Sequence, residues 1–262
     1  MKKQQEQNTN YKTISKNESY LLERIRSEGL LTFNVDEIKA LSNWDKTRIH
    51  NTFSTLLKKG HIIRIKRGIY TLHENFFDKT FEVITDTVKP SYISFWTALS
   101  FYGFTEQQVN AIQLVSTKQY SDFKVEGRGI KISTFKPRRF YGYVNREGMI
   151  IAEKEKSLID SLFMLDKCGG FEEYIKCIKN AYGELNKNKF KDYLFKFNNK
   201  SMVSRIGYIL ERLDLAEESM LNELKSKKSK SYVLLDPKGD RIKEHNRLWN
   251  IKVNKTLEGS KR

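Results

Sequence analysis

Between Tyr20 and Leu72 the apolar residues recur three times at helical spacing and then switch to alternation, a change of period that leaves few folds open. A first helix is expected from Glu18 or Ser19 to Ser27, with Leu21, Leu22 and Ile25 inward and Gly29 as its stop. A second follows Asn34, a good N-cap, and lines up Val35, Ile38 and Leu41. Ser42–Trp44 then makes a turn, and Asp45 caps a third helix that ends at Gly60. That third helix places Ile49, Phe53, Leu56 and Leu57 on one face. Its opposite face carries Thr47, Asn51, Ser54 and Lys58, flanked by Arg48 and Thr55. Two short runs, HIIRI and IYTL, follow directly and are joined through KRG, the expected place of a hairpin. Leu30–Phe33 is expected to add a small strand to it. Three short helices and a basic hairpin predict a winged helix-turn-helix, which sets one helix into a DNA major groove.

The polar residue types support that expectation. Lys46, Thr47, Arg48 and Asn51 occupy the exposed N-terminal half of the third helix, where base edges would be met. Lys58, further along, suits a phosphate. Lys66 and Arg67 stand at the hairpin tip beside Gly68, where a phosphate or a minor groove would be reached. Asp45–Tyr70 holds seven basic residues and one acid. Winged helices also serve as protein-interaction modules, but this charge density favours double-stranded DNA as the partner.

The formal net charge of +16 is unevenly spread. Residues 1–80 hold 15 Lys+Arg against 9 Asp+Glu, residues 81–224 hold 21 against 19, and residues 225–262 hold 12 against 4. The expected organisation is a mobile leader at 1–17, the winged unit at 18–78, and an α+β domain at 79–262 that ends in a basic tail. In that second domain a helix is expected near Thr80–Lys89 and another in Ser94–Phe104. Strands are expected at Ala111–Thr117, Gly129–Phe135, Gly148–Ala152 and Tyr232–Asp236. The segments Phe171–Tyr182, Lys187–Phe197, Met202–Leu213 and Glu217–Lys225 read as helices, so the second half is mainly helical. His73–Lys79 reads as a polar connector. The fold class is therefore α+β with a small sheet.

Signals for catalysis are weak. AEKEKSLID offers Glu153 and Lys156, but the strands IQLVST and GIKISTF supply no carboxylate to converge with them on a cation. Both residues are expected to start a helix in solvent. His50, His61, His73 and His245 lack metal-ligand spacing, and no phosphate-binding glycine loop occurs, so neither metal nor cofactor is expected. Cys168 and Cys177 fit a reducing, cytoplasmic setting. No apolar run reaches the ~20 residues of a membrane span. KPRRFYGYV interleaves cations and aromatics as single-strand binders do, yet its plainer reading is a link between strands.

Taken in order, KRGIYTL, PSYISFWTALSFYGFTEQ, IQLVSTK, AEKEKSLIDSLF, SRIGYILERL, YVLLDP and LWNIKVN resemble the AbiEi family of antitoxins from type IV toxin–antitoxin (abortive infection, phage defence) loci. The resemblance spans roughly Tyr20 to Asn254. It implies a winged helix that binds inverted repeats in its own promoter and represses the operon. It also implies a C-terminal domain that neutralises a nucleotidyltransferase-type toxin encoded next door, without a stable complex. By motif position the DNA-contact role falls on Lys46, Thr47, Arg48, Asn51, Lys66 and Arg67. In SRIGYILERL, Ile206, Ile209, Leu210 and Leu213 are expected to pack, leaving Arg205 and Glu211 as candidates for the antitoxin surface. Two other readings stay open: a ligand-responsive transcription factor, and a nuclease delivered to DNA by its helical unit.

Overall fold

A computed structural model describes residues 13–257, which form two compact units, one ending at Val88 and the other beginning at Lys89. The first unit opens with helix α1 (Lys16–Ser27), α2 (Val35–Ser42) and α3 (Lys46–Lys59). Strands β1 (Ile62–Lys66) and β2 (Ile69–Leu72) follow as an antiparallel pair, and then helices α4 (His73–Asp78) and α5 (Thr80–Thr87). The sequence explains the boundaries of the three leading helices. Ser15 and Asn34 each close a capping box, with Glu18 and Glu37 bonding back to the cap backbone. Asn43 adopts the left-handed conformation that stops α2, and two residues later Asp45 caps α3, so the turn between them is short. Leu21, Ile25, Ile38, Ile49 and Leu56 have no exposed surface and form the centre of this unit with Phe33 and Phe53.

Four expectations change here. The leader is not free up to residue 17, because Ser15 caps α1 and Lys16 and Asn17 lie inside it; residues 1–12 fall outside the described part. Leu30–Phe33 forms no strand and contributes a single bridge, Phe33 to Tyr70. The expected connector is helical over His73–Asp78, with Phe76 buried as its anchor. Helix α5 groups with the first unit, where Asp86 accepts a hydrogen bond from Thr32, and the boundary thus lies at 88.

The second unit is built on a mixed six-stranded sheet. Its strands are β3 (Ser91–Ile93), β4 (Ala111–Ser116), β5 (Phe123–Val125), β6 (Arg128–Thr134), β7 (Tyr143–Arg146) and β8 (Met149–Ala152). They are ordered β5-β6-β4-β3-β8-β7, with β4/β6 and β3/β8 parallel and the other pairs antiparallel. Helix α6 (Phe95–Phe101) connects β3 to β4. The segment 136–146 links strands and supplies β7, and its Arg139 guanidinium lies 4.5 Å from the ring centres of Phe163 and Phe197. Helices α7 (Lys154–Phe163), α8 (Phe171–Tyr182), α9 (Lys187–Phe197), α10 (Lys200–Arg212) and α11 (Glu218–Lys227) complete the helical half. Among the described residues no helix is long and apolar enough to cross a membrane.

The basic segment from residue 228 to residue 257 is not a loose tail. After α11, strands β9 (Val233–Leu234), β10 (Glu244–Asn246) and β11 (Ile251–Val253) make a small sheet, ordered β10-β11-β9. Fully buried Trp249 fixes this sheet against α10. Residues 258–262 lie outside the described part.

Candidate nucleic-acid interface

Helix α3 presents its two faces as its spacing demands. Ile49, Phe53 and Leu56 are buried, together with Thr52, whose hydroxyl donates to the Arg48 carbonyl at 2.9 Å. Lys46, Thr47, Arg48, Asn51 and Lys58 are all exposed, as are His50, Ser54 and Thr55. The Asp45 carboxylate accepts from the Arg48 amide at 2.8 Å and ties the start of the helix to its turn.

Lys46 and Arg48 are both held by partners within the protein. Lys46 pairs with Asp36 of α2 at 2.8 Å, and that ammonium holds the exposed carboxyl below its usual range. The Arg48 guanidinium donates to Asn17 Oδ1 at 2.7 Å and lies 3.9 Å from the centre of the Trp44 ring, which stacks on Tyr20. An exposed ion pair contributes little, so Lys46 gives up little if it turns to a phosphate. Arg48 is aimed by its stacking partner.

Beneath this face, Lys59 donates to Glu18 at 2.7 Å and to the Thr13 carbonyl at 2.8 Å. Burial opposes ionisation of Glu18, but hydrogen bonds from Lys59, Ser15 and Thr55 outweigh it and hold the carboxyl down at about 2. This pair fastens α1 to α3.

The hairpin departs from expectation at one residue. Arg67 is exposed at the tip, where Gly68 turns with φ +79°. Lys66 is half-buried instead, and its ammonium donates to the Thr87 carbonyl at 3.1 Å. Burial pushes its pKa down. The register shift between Arg64 and Lys66 turns that side chain back toward α5. Arg64, which the sequence reading passed over, faces outward between buried Ile63 and Ile65. The alternation in HIIRI was the signal for it.

The two candidate antitoxin residues are not free surface. Arg205 is half-buried and donates from Nε to the Leu234 carbonyl at 2.9 Å; burial lowers its pKa. Glu211 accepts from the Trp249 indole at 2.8 Å and pairs with Lys225 at 3.6 Å. Both hold the C-terminal sheet on α10.

Glu153 and Lys156 also differ from expectation. Glu153 binds Lys189 at 2.8 Å and accepts from the Tyr193 hydroxyl, while Lys156 is fully buried. Lys156 pairs with Asp160 one turn further along α7 and donates to the Tyr92 hydroxyl at 2.8 Å. Tyr92 and Ser94 donate to the other Asp160 oxygen at 3.0 and 2.8 Å. Burial raises the Asp160 carboxyl and lowers the Lys156 ammonium in pKa. The pair is sealed from solvent and clamps α7 to β3. Among the described residues, no three His, Cys, Asp or Glu side chains gather as metal ligands.

No protein-family model matches the sequence, and no curated protein does. The fold is similar to the crystal structure of RV2827C protein from Mycobacterium tuberculosis, with a TM-score of 0.66 over 92% of this chain and 92% of that one. Sequence identity is 10%, so the likeness is one of fold alone.

Proposed function

We propose that the chain is a winged-helix DNA-binding protein that represses its own operon and acts as an antitoxin. The observation that carries the DNA-binding half is the outward strip of α3. There Thr47, Arg48, Asn51 and Lys58 are exposed on one helix, next in sequence to a hairpin that presents Arg64 and Arg67. Arginine reads guanine and asparagine reads adenine through paired hydrogen bonds, whereas lysines and hairpin arginines suit phosphates. In this assignment Lys46, Thr47, Arg48 and Asn51 meet bases or adjacent phosphates. Lys58, Arg64 and Arg67 neutralise the backbone, and Lys66 supports the hairpin from within.

The antitoxin half rests on the sequence resemblance to AbiEi proteins. In that reading the second unit counteracts a nucleotidyltransferase-type toxin encoded by a neighbouring gene, without a lasting complex and without a cofactor. Arg205 and Glu211 hold the C-terminal sheet on α10, so their bonds within the chain compete with that role.

Binding of the full chain to DNA upstream of its own reading frame tests the first half. The result in favour is saturable binding to an inverted repeat that weakens steeply with salt, as counterion release requires. Equal affinity for a scrambled duplex would refute it. Co-expression with the adjacent gene tests the second half, by rescue of growth.

A further inference from the structure

A cleft of about 740 Å³ lies in the second unit, between the end of α9, the start of α10 and the segment that follows α11. Its lining contains Lys200, Lys225, Lys227, Lys228 and Lys230, and no carboxylate. Lys225 is engaged with Glu211, and Lys228 donates to the carbonyls of Arg247 and Leu248. The ammonium groups of Lys200, Lys227 and Lys230 are exposed and make no hydrogen bond or ion pair among the described residues. Like charges crowded into a concave surface raise the local potential and favour an anion that several of them can share.

The cleft also offers groups that lysines alone would not explain. Half-buried Phe195 is among the residues that line it, as are Asn198 and Asn250. Asn250 is fixed by its amide, which donates to the Ser229 carbonyl at 2.8 Å. An aromatic surface beside a cluster of cations suits a base joined to phosphates. The volume falls within the ~300–1,000 Å³ of small-molecule sites.

We infer that this cleft binds a nucleotide through its phosphate chain, with Lys200, Lys227 and Lys230 on the phosphates and Phe195 against the base. The chemistry is shared by a free nucleoside triphosphate and by the triphosphorylated end of a single-stranded RNA. The inference does not depend on DNA binding by the first unit.

The test uses the full chain and a fluorescent nucleoside triphosphate, followed by anisotropy. Unlabelled nucleoside triphosphates, inorganic triphosphate, short RNAs with 5′-triphosphate or 5′-hydroxyl ends, and duplex DNA serve as competitors. The inference predicts saturable binding that falls about tenfold or more when Lys200, Lys227 and Lys230 are replaced together by Glu. Replacement by Gln should give a smaller loss in the same direction. Phe195→Ala should reduce the advantage of nucleotide over inorganic triphosphate, and Arg48→Ala should leave probe binding unchanged. Stronger competition by the triphosphorylated RNA than by free nucleotides would identify RNA as the source of the ligand. Absence of saturable binding overturns the inference. So does a triple variant that melts like the parent and binds undiminished, or inorganic triphosphate or duplex DNA competing as well as a nucleotide.

Discussion

The indole of Trp249 packs against the backbone of Gly207 so closely that a Cβ at position 207 would overlap three of its ring carbons. The glycine sits inside α10, where it costs about 1 kcal/mol relative to alanine in an ordinary helix. It is kept here because no other residue leaves room for the ring. Gly207→Ala should therefore destabilise the second unit by roughly 1–3 kcal/mol, against the helix-propensity trend. Chemical denaturation followed by tryptophan fluorescence measures this. A stabilised variant would show that the ring is not seated as described.

The buried Lys156–Asp160 pair makes a second prediction. Removing one partner leaves the other charge uncompensated, which costs ~3–5 kcal/mol. Lys156→Met and Asp160→Leu should each lower stability by that order, whereas the double variant should recover much of the loss. A double-mutant cycle in urea reads this directly. Additive losses would mean that the two side chains do not interact.

Acid should loosen the first unit through Glu18. Its folded pKa, about 2, lies below its ordinary 4.5, so the carboxylate contributes stability at pH above 4.5. That contribution is lost as the pH falls through the folded value. The loss is expected between pH 5 and pH 2. Glu18→Gln should flatten this part of the stability profile. An unchanged slope in the variant would assign the acid sensitivity to another carboxylate.

Most of the first unit was legible because its signals are local. Asn34 and Asp45 cap the helices they precede in the sequence, and Ile49, Phe53 and Leu56 repeat at the spacing of one helical face. Strands β4 and β6 announced themselves in the same way, through apolar runs. What escaped depends on partners far along the chain. Lys156 looked like a solvated charge because Tyr92, which accepts its hydrogen bond, lies 64 residues away. Arg205 and Glu211 looked exposed because the sheet they hold is formed by residues 233–253. Strands β3 and β5 are three residues each, too short for any alternation to show. Lys66 was misplaced because a register shift in a hairpin leaves no trace in composition.

In the proposed function the outward side of α3 reads base sequence while neighbouring cations grip the backbone. Fluorescence anisotropy on the upstream inverted repeat and on a scrambled duplex, over a range of salt concentrations, tests it most directly. Arg48→Ala and Asn51→Ala should each lose ~1–3 kcal/mol of preference for the cognate site. Lys58→Ala and Arg67→Ala should instead weaken both duplexes alike and lower the salt slope by about one. If all four variants lost affinity equally on both duplexes, the reading face would be misassigned and the account contradicted.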